Sequence, residues 1–211
     1  RRRIECRTQD HLVELLYHMK RTSRLLSAII LTALLLTITV ALNNAADARP
    51  PRTLRSITGT VVRVIDGDTM KVRSPFGSIV TVRLYGIDAP EAPHGNMPGQ
   101  PLGEASKSAL EELVYPGSEV TIHVMAVDKY RRFVSIVETP SCYDSCSVNL
   151  SLLRAGMAEV YREYLNDEPM RSAYLEAERQ AKKERRGIWN NASSYERPNH
   201  FRKRMSVSHF K

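Results

Sequence analysis

Cysteine is scarce in this chain of 211 residues, and the three present exclude more than they offer. Cys142 and Cys146 form a C-x3-C pair. No second pair of cysteine or histidine stands at ligand spacing, so a structural zinc site is discounted. Internal repeats are absent as well, and with them the repeat architectures. Only one long apolar run occurs, Leu25 to Leu42, which excludes a multi-span membrane protein. Wholesale disorder is excluded by a composition of 42% hydrophobic and 26% charged residues. Acidic residues are the minority charge, 23 against 31 basic ones, giving a net charge of +8 and a pI near 9.6. That balance favours a polyanionic partner, either nucleic acid or an anionic lipid surface. The length suits one domain of ordinary size with appended segments.

The beginning of the chain reads as targeting sequence. Lys20, Arg21 and Arg24 precede the uncharged run, and Ala46-Asp47-Ala48 follows it as a small-residue cleavage pattern. Residues 19–48 are therefore expected to be a signal peptide beginning at Met19, with residues 1–18 an over-long extension. The competing reading is an uncleaved anchor, because an uncharged, mostly apolar run of 18 residues lies at the short end of the roughly 17 to 25 that span a bilayer. Threonines at 32, 37 and 39 dilute the run and favour cleavage. Removing residues 1–48 takes 7 of the 31 basic and 4 of the 23 acidic residues, leaving a balance of +5. In an oxidising compartment Cys142 and Cys146 are then expected to close a small disulfide loop.

Residues 49–56 read as a Pro- and Arg-rich linker, 57–195 as the folded domain, and 196–211 as a basic tail without fixed structure. Two β-rich runs flank Asp66-Gly67-Asp68, a hairpin signal. A third strand is expected at Ser78 to Tyr85, and two more at Glu119 to Ala126 and Phe133 to Glu138. Asp88 to Gly103 carries four prolines and three glycines, so it reads as a long loop of the kind that is often functional. Helices are expected at Glu104 to Leu113, Asn149 to Ala155 and Pro169 to Arg186, the last with Met170, Ala173, Tyr174, Ala177 and Ala181 inward. The fold class is α+β and mainly β: a five-stranded OB-type barrel with about three helices.

Three constellations carry chemistry: Asp66-Gly67-Asp68-Thr69, then Arg83 through Asp88-Ala89-Pro90-Glu91, then Asp128-Lys129-Tyr130-Arg131-Arg132. Each alone has a bland reading, as turn, loop or solvated basic corner. Together they hold what phosphodiester hydrolysis requires. Asp68 and Asp88 offer hard oxygen ligands to a divalent cation, and Glu91 offers a base. Arg83 and Arg132 offer guanidinium groups for developing charge. No histidine belongs to the set, which argues against a histidine base; His94, His123, His200 and His209 read as structural or surface residues.

These motifs, in this order, together with Gly-Glu-Ala at 103–105, Asn149 to Ala158 and Gly187-Ile188-Trp189, resemble the staphylococcal nuclease (thermonuclease) family over roughly Ile57 to Asn191. The resemblance implies an OB-type barrel and a single Ca²⁺ held by Asp68, Asp88 and the backbone carbonyl of Ala89. It implies Glu91 as general base, Arg83 and Arg132 on the phosphate, and products ending in a 3′-phosphate. Lys129 and Tyr130 match positions that contact a neighbouring phosphate, and Tyr164 is a candidate for nucleotide packing. The archetype has Thr where Ala89 stands and Gly where Arg131 stands, so either Arg131 or Arg132 is placed to reach the phosphate. The expected partner is DNA or RNA, the expected state a monomer, and the expected location secreted or periplasmic, with membrane contact only transient unless the N-terminal segment stays uncleaved. Two rival readings are a non-catalytic nucleic-acid-binding barrel and a membrane-tethered basic module. Neither explains why Asp68, Arg83, Asp88, Glu91 and Arg132 are all present.

Overall fold

The computed structural model describes residues 55–95, 97–140, 147–168 and 170–208. The extension, the signal or anchor segment, most of the linker and the Cys142 to Cys146 loop lie outside the described residues. Among the described residues no helix is long and apolar enough to cross a membrane.

Five strands close into a barrel: β1 Arg55–Asp66, β2 Thr69–Arg73, β3 Ile79–Leu84, β5 Glu119–Val127 and β6 Phe133–Glu138, joined in the order β1-β2-β3-β6-β5. Alternation along these strands produces the core. Met70, Val72, Val82, Leu84, Val120, Ile122 and Val137 are all buried and turn to the interior, as a two-residue period requires. The long β1 pairs with β2 on one side and β5 on the other, and a parallel β3–β6 pairing closes the ring. Arg55 and Ser56, assigned to the linker from composition, already pair with Val124 and His123 in β1.

A second sheet of only two short strands, β4 Ile87–Asp88 and β7 Glu159–Val160, sits beside the barrel. It escapes sequence periodicity because two residues show no period. Its effect is specific: the register sets Asp88 opposite Glu159.

The helices are α1 Gly103–Leu113, α2 Val148–Ala155, α3 Met170–Lys183 and α4 Pro198–Ser208. Ser147 caps α2 by accepting from the Leu150 amide. Buried Asn149 then joins α2 to the barrel: its side-chain amide donates to the Tyr85 and Ser135 carbonyls and accepts from the Val137 amide. On α3 the buried positions are Tyr174, Ala177, Glu178 and Ala181, whereas Ala173, expected inward, is exposed. Glu178 is tolerated inside because it accepts from the Val160 amide and pairs with Arg162 and Lys182.

The tail reading is corrected by α4. Phe201 is 4% exposed and packs inward, Arg197 pairs with buried Glu159, and Arg204 pairs with Glu196. Composition marks the segment as basic; each of these arginines has a carboxylate partner.

Candidate active site

The β1–β2 turn brings the first carboxylates in. Gly67 lies so close to α1 and the following loop that an added Cβ would stand 2.7 Å from Ser106 Cβ and 2.8 Å from Ala89 Cβ. The turn therefore packs tightly enough to bury Asp68, which accepts from the Thr69 hydroxyl at 2.8 Å and the Ala89 amide at 2.9 Å. Arg83 follows from strand alternation: Val82 and Leu84 fill the interior, so Arg83 projects from the other face. There it forms ion pairs with Asp68 and, at 2.5 Å, with Asp88.

The long loop places Glu91 by folding on itself. The Glu91 amide donates to Gln100 Oε1 at 3.0 Å, and the Gln100 amide returns a bond to the Glu91 carbonyl at 2.8 Å. Gly103 passes so near that a Cβ would meet the Glu91 carbonyl oxygen at 2.0 Å. Asp66 secures the next residue, its Oδ1 accepting from the Ala92 amide at 2.9 Å.

Two carboxyls of the cluster, Asp66 and Asp68, resist ionisation. Burial, reinforced by the charges of Asp68 and Glu91, pushes Asp66 up to about 8. Burial also raises Asp68, with Arg83 opposing and Asp88 adding to the rise. Two guanidinium groups offset the accumulated negative charge. Arg83 is one. Arg202 of α4 is the other, contacting Glu91 at 2.5 Å and both oxygens of Asp88 at 3.0 and 3.1 Å. Burial works against the charge on Arg202, yet the bonds to Asp88 and Glu91 outweigh it and hold its pKa above the ordinary value.

The structure thus brings together Asp68, Arg83, Asp88 and Glu91, with the Ala89 amide on Asp68. Arg132 is not bonded to this cluster. It caps the β5–β6 turn, its Nε donating to Asp128 Oδ2 at 2.7 Å. It sits just before Phe133, and β6 pairs with β3 such that Arg83 faces Val134, so Arg132 lies at the end of the strand neighbouring Arg83. Arg131 adopts φ 62°, the left-handed region where glycine is at ease, and is exposed. Lys129 and Arg132 both flank the Tyr130 ring, 5.1 and 5.3 Å from its centroid, and Tyr130 is 68% exposed. Tyr164 is also exposed and lies 5.0 Å from the ring of Tyr161. Among the described residues no group of three or more His, Cys, Asp or Glu side chains is arranged to hold a metal ion.

Five residues at or behind the site escape sequence reasoning. Arg202 lies in a segment that reads as a tail, and Asp66 stands inside a motif that assigns it no part. Tyr161, whose amide binds the Gly86 carbonyl, feels the charges of both Asp88 and Arg202. Glu159 and its partner Arg197 back Asp88 through the two-stranded sheet. Only Tyr161 leaves a local signal, as an aromatic three residues before Tyr164.

A closed five-stranded barrel with buried carboxylates interleaved with guanidinium groups defines an α+β protein on an OB-type scaffold. The family model described as staphylococcal nuclease homologue matches residues 81–191. An uncharacterized endonuclease of Haemophilus influenzae is 32% identical over 180 residues, covering 85% of this chain and 88% of that protein. A micrococcal nuclease of Shigella flexneri is 33% identical over 143 residues, 65% of this chain and 76% of the relative. A probable endonuclease of Verticillium alfalfae, LCL3, is 34% identical over 131 residues; there the match spans 61% of this chain and only 45% of the relative's length. The chain belongs to the staphylococcal nuclease family.

Proposed function

We propose that this protein is an exported, calcium-dependent nuclease that hydrolyses phosphodiester bonds of DNA or RNA and leaves 3′-phosphates. The observation that carries the reading is the convergence of Asp68 and Asp88 on Arg83, with Glu91 joined to Asp88 through Arg202. The names of the relatives from Haemophilus influenzae and Shigella flexneri support the nuclease part.

The donor set fits a hard cation: carboxylate oxygens of Asp68 and Asp88, with the Ala89 carbonyl added by family resemblance, and no thiolate or imidazole. Such an ion supplies charge stabilisation at the scissile phosphate. The chain's own groups do the rest. Glu91 accepts a proton from the attacking water, whose oxygen forms the new bond to phosphorus. The bond from phosphorus to the 5′ oxygen breaks, and that oxygen leaves as a hydroxyl after taking a proton from solvent. Arg83 holds and neutralises the phosphate oxygens through two N–H donors. Lys129, Tyr130 and Arg132 form an exposed basic and aromatic corner suited to the adjoining phosphate and base, and Tyr164 with Tyr161 offers a stacking face.

Export is supported by Lys20, Arg21 and Arg24 ahead of the apolar run and by Ala46-Asp47-Ala48 behind it. A nuclease with little base selectivity is safest outside the cell, where calcium also suffices to fill a weak oxygen site. N-terminal sequencing of protein from periplasm or medium should begin near Arg49; recovery only from membranes replaces secretion with anchoring.

The activity is tested by incubating the purified full chain with single- and double-stranded DNA and RNA, in calcium or in chelator. Cleavage with calcium and none with chelator is expected. Retained nucleic-acid binding without cleavage under every condition would replace the enzyme with a binding module.

A further inference from the structure

Asp88 is fully buried, and guanidinium N–H groups bond both of its carboxylate oxygens. Arg83 Nη2 donates to Oδ1 at 2.5 Å, Arg202 Nη1 donates to the same oxygen at 3.1 Å, and Arg202 Nη2 donates to Oδ2 at 3.0 Å. Arg202 Nη1 also reaches Glu91 Oε1 at 2.5 Å. A hard divalent cation binds carboxylate oxygens at about 2.3–2.6 Å. At that distance from Asp88 it would stand directly against the charge of Arg202, in a site screened little by water. Arg202 and a cation therefore compete for one carboxylate.

The two arginines differ in how they are mounted. The Arg83 side chain is 13% exposed on a barrel strand and is also paired with Asp68, so it has another partner when Asp88 is claimed. The Arg202 side chain is 35% exposed and rides on a surface helix. Among the described residues its ion-pair partners are Asp88 and Glu91, and water is within its reach. The helix itself stays anchored when Arg202 lets go, through Phe201, the Arg197–Glu159 pair and the Arg204–Glu196 pair.

We infer that Arg202 is a built-in cation surrogate, an autoinhibitory side chain that occupies Asp88 and Glu91 until a divalent cation displaces it. The inference rests on the proposed reading that Asp68 and Asp88 hold such a cation. It also frees Glu91: Arg202 Nη1 occupies Glu91 Oε1, so cation entry and release of that oxygen are one event. The chain is thereby kept silent wherever calcium is scarce.

The test is calcium binding to the full chain, followed by calorimetry, for wild type, Arg202→Gln, Arg202→Lys and Arg204→Gln. Displacing charge-assisted hydrogen bonds opposes the cation, so Arg202→Gln should bind calcium about ten- to a hundredfold more tightly. Arg202→Lys, which keeps a charge but loses the fork, should fall between and also covers the case in which glutamine loosens α4. Arg204→Gln, on the same helix but directed at Glu196, should bind as wild type does. The calcium concentration giving half-maximal DNA cleavage should drop in step with the affinity. Equal affinity in wild type and both Arg202 variants overturns the inference and leaves the cation reading intact. Unaltered affinity with slower cleavage at saturating calcium would make Arg202 a ligand of the substrate phosphate and also overturns it. Cleavage without calcium binding in any variant removes the cation reading and the inference together.

Discussion

The two halves of the site are built differently. On the barrel side, Asp68, Arg83 and Asp88 come from strands and a tight turn, and their positions follow from register: β2 pairs Thr69 with Arg83, and β4 pairs Asp88 with Glu159. On the C-terminal side, Arg202 comes from a helix held by one buried aromatic ring and a few ion pairs. The first half is fixed because moving it would break a sheet. The second half is adjustable because moving it breaks side-chain contacts and no sheet pairing. The proposed cation ligands Asp68 and Asp88 and the proposed phosphate-binding Arg83 sit on the rigid half, and the proposed competitor Arg202 sits on the loose one.

Substitutions that separate chemistry from scaffold should have the largest effects. Glu91→Gln preserves size and the backbone bonds to Gln100 but removes the proton acceptor. Turnover should fall by about a hundred- to ten-thousandfold with the melting temperature little changed. Near wild-type turnover would remove Glu91 from the role of base. Arg83→Ala should damage both function and fold, since it strips buried Asp68 and Asp88 of a shared cation, a change that costs about 3–5 kcal/mol. Denaturant titration in chelator checks this, and a stability equal to wild type would mean the barrel half is less constrained than its burial implies.

Backbone crowding gives the next tier. Gly67→Ala drives a methyl group against Ser106 and Ala89, which overpacking makes destabilising by about 1–3 kcal/mol. Because the same turn carries Asp68, calcium affinity should fall with it. A stable variant of normal affinity would show that the turn has room its packing does not suggest.

A pH profile sharpens the comparison further. The native carboxyl of Asp66 is raised from 3.8 to about 8, so the folded state holds this proton more tightly than the unfolded chain does. Its stabilising contribution is complete below about pH 4 and is lost as pH rises toward 8. Asp66→Asn keeps an oxygen for the Ala92 amide while removing the titration. In chelator, its stability should be flatter between pH 4 and 8 than that of wild type; parallel profiles would contradict the shift. The smallest effect is expected from Arg204→Gln, whose denaturation midpoint should match that of wild type because the pair is exposed.

The rigid half is legible in the amino-acid sequence and the loose half is not. Strands of alternating apolar residues, Asp-Gly at a hairpin and the proline-rich loop each have a local signature, so the barrel and Asp68, Arg83, Asp88 and Glu91 stand out from sequence alone. Arg202 has no such signature: what makes it a site residue is the tertiary contact of α4, and a run of arginines looks alike whether solvated or paired. The β4–β7 pair fails for a related reason, being too short for periodicity. Ala173 reads as inward from its hydrophobicity but is exposed, whereas Glu178 reads as outward but is buried because it is fully partnered.

The most direct test of the account is calcium titration of the full chain against Asp88→Asn. Asp88 lies where strand pairing, Arg83, Arg202 and the proposed cation meet, and asparagine keeps the shape while removing the charge. The account predicts one calcium bound by wild type, and binding weakened beyond detection, with cleavage lost, in the folded variant. Calcium bound equally by both proteins would place the cation elsewhere and contradict it.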